Sequence, residues 1–121
     1  DALTLFERFE SKLEEFEGDL TRAVVELAKE WRRDKYLRNL EALLALMDKK
    51  NAFIVSGDGN VIQPDGPIIS IGSGGGFAQA AATAYLKSSN YSAKKVVEKS
   101  LQIAADLCIY TNDSITVLEC K

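Results

Sequence analysis

Residues 68–84 read I-I-S-I-G-S-G-G-G-F-A-Q-A-A-A-T-A: an apolar run, a hinge of Gly72, Ser73, Gly74, Gly75 and Gly76, then an alanine-rich helix. Four of the chain's eight glycines fall in these five positions. Glycine costs chain entropy and belongs where backbone must bend sharply or approach something closely. A strand that enters a helix through such a hinge leaves exposed amides at the helix start, where anions and polarised carbonyls are held. The hinge therefore dictates a strand-to-helix junction and marks the one place where the sequence itself points to a site.

The segments on either side follow from periodicity. Leu3, Phe6, Phe9, Leu13 and Phe16 recur at steps of three and four, predicting an amphipathic helix over 2–16 with Asp1 as its cap and Gly18 as its stop. Asp19 then caps a second helix striped by Leu20, Val24, Leu27, Ala28 and Trp31. Period alone leaves 40–47 open between helix and strand. The runs 52–56 and 60–63 flank Gly57-Asp58-Gly59 as a hairpin, and an isolated hairpin is marginal, which favours a strand at 40–47. Further strands are expected at 68–71 and 115–118. A third helix is expected over 75–87 and a fourth, capped by Ser92, over 93–109. Helix pairs around strands make an α+β domain, with helical layers packed on antiparallel sheet.

At 121 residues, 46% hydrophobic and 27% charged, the chain has the length and balance of one globular domain. A net charge of −3 argues against a general polyanion binder. No apolar run reaches the roughly 20 residues needed to cross a bilayer, and no signal peptide precedes the first helix. Two cysteines, Cys108 and Cys120, and no histidine argue against a disulfide framework, exclude a Cys/His zinc site and make a reducing cytoplasm the default compartment. Any catalysis must proceed without an imidazole.

Nucleotide motifs do not fit the hinge. No lysine follows it until Lys87, so a Walker loop fails, and Phe77 stands where a dinucleotide fingerprint starting at Gly72 and Gly74 needs glycine. What remains is a tight turn with close backbone packing, on which Ser73 presents a hydroxyl at a strand's carboxyl end. The cluster of Arg32, Arg33, Lys35 and Arg38 reads as a solvated face or subunit contact at a helix end. Cys108 has no activating partner in sequence and reads as inert packing. Asp106 and Asp113 are isolated carboxylates, read as caps or surface.

Several stretches carry a resemblance. They are A-L-T-L-F-E-R-F-E (2–10), A-V-V-E-L-A-K-E-W-R-R-D (23–34), L-R-N-L-E-A (37–42), G-D-G-N-V-I-Q-P (57–64), I-G-S-G-G (71–75) and A-A-D-L-C-I-Y-T-N (104–112). In this order and density they resemble the HslV (ClpQ) family, peptidase subunits of the bacterial two-component ATP-dependent protease. The resemblance implies the N-terminal-nucleophile hydrolase fold, two antiparallel sheets between two helical layers. Residues 1–121 would form a single domain, the C-terminal two-thirds of such a subunit, without its leading strands. It implies a cytoplasmic double ring of hexamers, a hexameric HslU-type AAA+ unfoldase that consumes the ATP, and unfolded protein substrates, with no nucleic-acid or membrane partner. The nucleophile there is an N-terminal threonine whose own α-amine is the general base, which accommodates the lack of histidine.

By the same resemblance, Ser73 matches a serine that hydrogen-bonds near the threonine amine. The carbonyls of Ala105, Cys108 and Thr111 match a monovalent-cation site, usually sodium; no organic cofactor is implied. Carbonyl oxygens at the negative end of a helix suit such an ion. The sequence begins at Asp1, where the family is already entering its first long helix. Asp1 cannot replace a threonine hydroxyl, and Thr4 and Thr21 lie inside helices. The expectation is therefore no peptidase activity from this chain alone. The alternatives are a non-catalytic ring-assembly or unfoldase-docking piece, or a phosphate-binding module on the hinge.

Overall fold

The computed structural model describes residues 2–37 and 42–120, which form two compact units, Asp1–Asp65 and Gly66–Lys121. Asp1, Arg38 and Leu40, assigned above to a cap, a basic cluster and an apolar run, lie outside the described residues.

The first unit contains helices α1 (Ala2–Glu15) and α2 (Leu20–Arg33) and strands β1 (Leu43–Met47), β2 (Ala52–Ser56) and β3 (Val61–Ile62). α1 ends in a Schellman motif, with Gly18 N–H donating to Leu13 O at 2.8 Å and Glu17 N–H to Glu14 O at 3.2 Å. The left-handed position is filled by Glu17 at φ +54°, and Gly18 follows at φ +85°. Asp19 then caps α2, its carboxylate accepting Arg22 N–H at 3.2 Å.

The buried face of α1 differs from the expected stripe. Leu5 is fully buried and Phe9 packs beside it, whereas Leu3 and Phe6 are 67% and 56% exposed. The face turned inward also carries the helix's cations. Arg8 pairs with Glu30 and Asp34 at 2.9 Å each, and Lys12 with Glu30 at 2.8 Å. At 100° per residue, the face that carries Leu5, Arg8, Phe9 and Lys12 toward α2 turns Leu3 and Phe6 outward.

The α2 stripe is buried as expected, and Trp31 at its C-terminal end donates its indole N–H to Leu37 O at 2.7 Å. The sheet order is β1-β2-β3, antiparallel throughout, with Leu44 opposite Val55, Leu46 opposite Phe53 and Ile54 opposite Ile62. Alternation sends Leu44, Leu46, Phe53 and Val55 to the α2 core. The opposite face carries exposed Leu43, Met47 and Ile62.

The second unit is built on α3 (Gly75–Ser88) and α4 (Ala93–Leu107), the latter capped by Ser92 through Lys95 N–H. The buried residues of the pair are mostly small: Gly75, Ala78 and Ala82 on α3, and Val96, Ser100 and Ala104 on α4. Two expectations are corrected here. Residues 68–71 and 115–118 are not strands, because among the described residues no ladder hydrogen bonds join them to a neighbour. The fourth helix stops at Leu107, not at 109, because Cys108 turns extended (φ −104°, ψ 119°) as its cap.

Candidate active site

The hinge after residue 71 is folded by two hydrogen bonds. Gly72 has φ +95°, a left-handed value that admits glycine readily, and its carbonyl accepts Gly75 N–H at 3.1 Å. Ser73 and Gly74 are the central residues of that turn. The Ser70 hydroxyl reaches over it and donates to Gly75 O at 2.9 Å.

Close packing explains the next two glycines. A Cβ on Gly74 would run into Thr111 Oγ1, and one on Gly75 would stand 3.2 Å from Ser70 Oγ. Gly76 faces open space, so no steric demand requires glycine there. Gly74 and Gly75 are buried while Ser73 is exposed.

Opposite the hinge lies the turn after α4. Cys108 N–H donates to Ala104 O at 2.8 Å and Thr111 N–H to Cys108 O at 3.1 Å. The Cys108 Sγ is 3.9 Å from Ser73 Oγ. Cys108 is thus not the partnerless thiol expected from sequence. Hydrogen bonding with the Thr111 side chain, then with the Tyr110 backbone, holds the thiol below its ordinary pKa against the opposing effect of burial. The reason for the difference is geometric: the helix stops one residue before Cys108 and folds Thr111 back onto it.

Hinge and turn together line a cleft of about 350 Å³, with residues 70–75 on one side and Tyr110, Thr111, Asn112 and Ile115 among those on the other. The cleft brings together Ser73 and Thr111, two of the residues singled out from sequence, and Cys108 touches Ser73 beside it. Ala105 lies in the last turn of α4 and Cys108 is its C-cap, so these two carbonyls fall at the helix's C-terminal end, while Thr111 follows in the turn beyond and donates its N–H to Cys108 O. Neutral oxygen donors at that end fit a weakly held hard cation. No group of three or more His, Cys, Asp or Glu residues among those described could hold a metal.

The remaining candidates are peripheral. Asp106 is exposed and accepts Gln102 Nε2 at 3.4 Å, and Asp113 is exposed. Arg32 lies over the hairpin turn, its Cδ 3.0 Å from where a Gly59 Cβ would stand. Sequence reasoning missed Ser70, whose only signal is a lone hydroxyl in the apolar run I-I-S-I directly before the hinge.

A family profile described as the proteasome subunit matches residues 1–120. The chain belongs to the proteasome-subunit family. The crystal structure of eukaryotic HslV from Trypanosoma brucei is similar to it at 45% identity and a TM-score of 0.88, covering 97% of this chain and 68% of that one. The resemblance read from the sequence is therefore borne out, and with it the N-terminal-nucleophile type of α+β fold. Proteasome subunits and HslV are a family of threonine peptidases, and the single profile runs across both compact units. No helix among the described residues is long and apolar enough to cross a membrane.

Proposed function

We propose that this chain is the bulk of an HslV-like peptidase subunit, one domain spanning 1–121, which supplies the supporting wall of a threonine-nucleophile site. The observation that carries the reading is Ser73, held on a glycine turn at the lip of a cleft in a chain 45% identical to an HslV. In this reading the Ser73 hydroxyl hydrogen-bonds near the α-amine of an N-terminal threonine and steadies it as general base. That threonine attacks the scissile carbonyl with its hydroxyl. No residue of 1–121 fills the nucleophile's place, since Asp1 offers a carboxylate and Thr4 and Thr21 sit within helices.

A sodium ion held by the carbonyls of Ala105, Cys108 and Thr111 would brace the turn that faces Ser73. The partners are further copies of the subunit, in a double ring of hexamers, and a hexameric HslU-type AAA+ unfoldase that feeds unfolded protein. Both described cysteines are free thiols, in keeping with a cytoplasmic setting.

The test is a fluorogenic-peptide assay. The 121-residue polypeptide alone is expected to give no turnover, and the same residues behind a threonine-bearing leading segment are expected to give turnover that a threonine-directed inhibitor abolishes. Inhibitor-sensitive turnover by residues 1–121 alone contradicts the reading. A second reading, a non-catalytic ring-assembly or unfoldase-docking subunit, is favoured by the exposed Leu3, Phe6, Leu43, Met47 and Ile62, which are surfaces for contact rather than chemistry. It predicts assembly into rings with no turnover whichever segment leads.

A further inference from the structure

We propose that Ser70 is a positioning residue for the site: its hydroxyl straps the glycine hinge shut and so fixes where Ser73 stands. The inference rests on the reading of Ser73 given above.

The need for a strap follows from composition. Of the five residues between Ile71 and Phe77, four are glycine, and such a segment has more backbone freedom than any other of its length. One main-chain bond, Gly75 N–H to Gly72 O at 3.1 Å, closes the turn around Ser73 and Gly74. A single bond with Gly72 at φ +95° on one side and a helix start on the other leaves the turn free to tilt. No side chain caps α3, because its N-cap is Gly74. The side-chain bond from Ser70 to Gly75 O, at 2.9 Å, is therefore the second tie across the same loop, made from the segment that enters it. Ile68 and Ile69 are half-buried and Ser70 with them, so the strap is anchored at its near end.

Gly75 shows that the fit is mutual. A Cβ there would be 3.2 Å from Ser70 Oγ, so a side chain at position 75 presses on the strap and asks it to give by a few tenths of an ångström. Glycine at 75, the first residue of α3, leaves the Ser70 contact its space. The same hinge meets Thr111 at Gly74, so Ser73 lies between two fixed neighbours.

A hydroxyl that steadies a general base must hold its place to within a fraction of an ångström, and a misplacement near 1 Å costs up to about 10²-fold in rate. The experiment is steady-state peptide hydrolysis by the assembled, threonine-bearing peptidase carrying Ser70→Ala, Ser70→Thr, Gly75→Ala or Ser73→Ala. Ser70→Ala and Gly75→Ala are expected to lower kcat about five- to tenfold with KM unchanged, while Ser70→Thr, which keeps the hydroxyl, restores most of it. Gly75→Ala separates positioning from stability, because it is expected to lose activity without losing thermal stability. A crystal structure of Ser70→Ala is expected to show Ser73 Oγ displaced. If Ser73→Ala lowers kcat but Ser70→Ala leaves it within twofold, the strap is overturned and the reading of Ser73 stands. If Ser73→Ala itself changes nothing, that reading falls and the strap's role falls with it.

Discussion

Single positions in this chain are set by backbone sterics as much as by side-chain chemistry. Glu17 occupies the left-handed residue that closes α1, where a non-glycine residue is strained, and it is exposed. Glu17→Gly is expected to stabilise the fold by about 0.5–1 kcal/mol, read as a rise in the denaturation midpoint. Gly74 is the opposite case: with Thr111 Oγ1 in the way of a Cβ, Gly74→Ala is expected to destabilise by about 1–3 kcal/mol and to displace Ser73. Ser100 is buried in α4 with no partner for its hydroxyl among the described residues. Ser100→Ala is expected to be neutral or stabilising by up to about 1 kcal/mol in the same denaturation series, since it removes an unsatisfied buried group and improves helix propensity.

Between elements, the exit from α2 is tied down by one carboxylate, that of Asp34 at its C-cap. Asp34 Oδ1 accepts the N–H groups of Tyr36 at 2.8 Å and Leu37 at 3.1 Å, while Oδ2 accepts from Arg8. These bonds, the Leu37 and Tyr36 amides first, hold its carboxyl below the usual 3.8. A folded pKa below the unfolded one means the unfolded state binds the proton more tightly. The contribution is therefore present in full above about pH 4–5 and is lost as pH falls through 3.8 and below. Asp48 behaves alike through Asn51 and Lys50. Thermal melts from pH 6 to pH 2.5 are expected to fall less steeply at the acid end for Asp34→Asn than for the parent. Equal slopes would remove Asp34 from the account. Trp31→Phe, which strips the indole donor from Leu37 O, is expected to cost about 1–3 kcal/mol.

Much of this scale was legible beforehand. Asp19 and Ser92 announced their helices because a cap is a local bond, and the hairpin around Asp58 announced itself because its turn is local too. What was not legible depends on distant partners. The face that α1 buries, with Leu5 inward and Arg8 and Lys12 paired to Glu30 on α2 and Asp34 at its C-cap, depends on that second helix. The segments 68–71 and 115–118 have strand-like sequence, but a strand is a property of a pair. At the site, Ser73 could be picked out from its glycines, whereas Ser70 and the thiol contact of Cys108 depend on how the turns fold back.

At the scale of the molecule, apolar surface left open on the first unit sets the expectation for assembly. β1 and β3 are the sheet's edges among the described residues, and Leu43, Met47 and Ile62 make one sheet face apolar and exposed. Residues 1–121 alone are expected to self-associate with rising concentration in light scattering and to bind a hydrophobic dye. A sharp, reversible, monomeric transition contradicts that expectation.

In the function proposed above, the glycine hinge holds Ser73 against an N-terminal threonine. A crystal structure of the assembled, threonine-bearing peptidase tests it most directly. Ser73 Oγ is expected within hydrogen-bond reach of the threonine α-amine, about 2.6–3.2 Å. A Ser73 hydroxyl standing clear of that amine, with neither a direct bond nor a single bridging water, contradicts it.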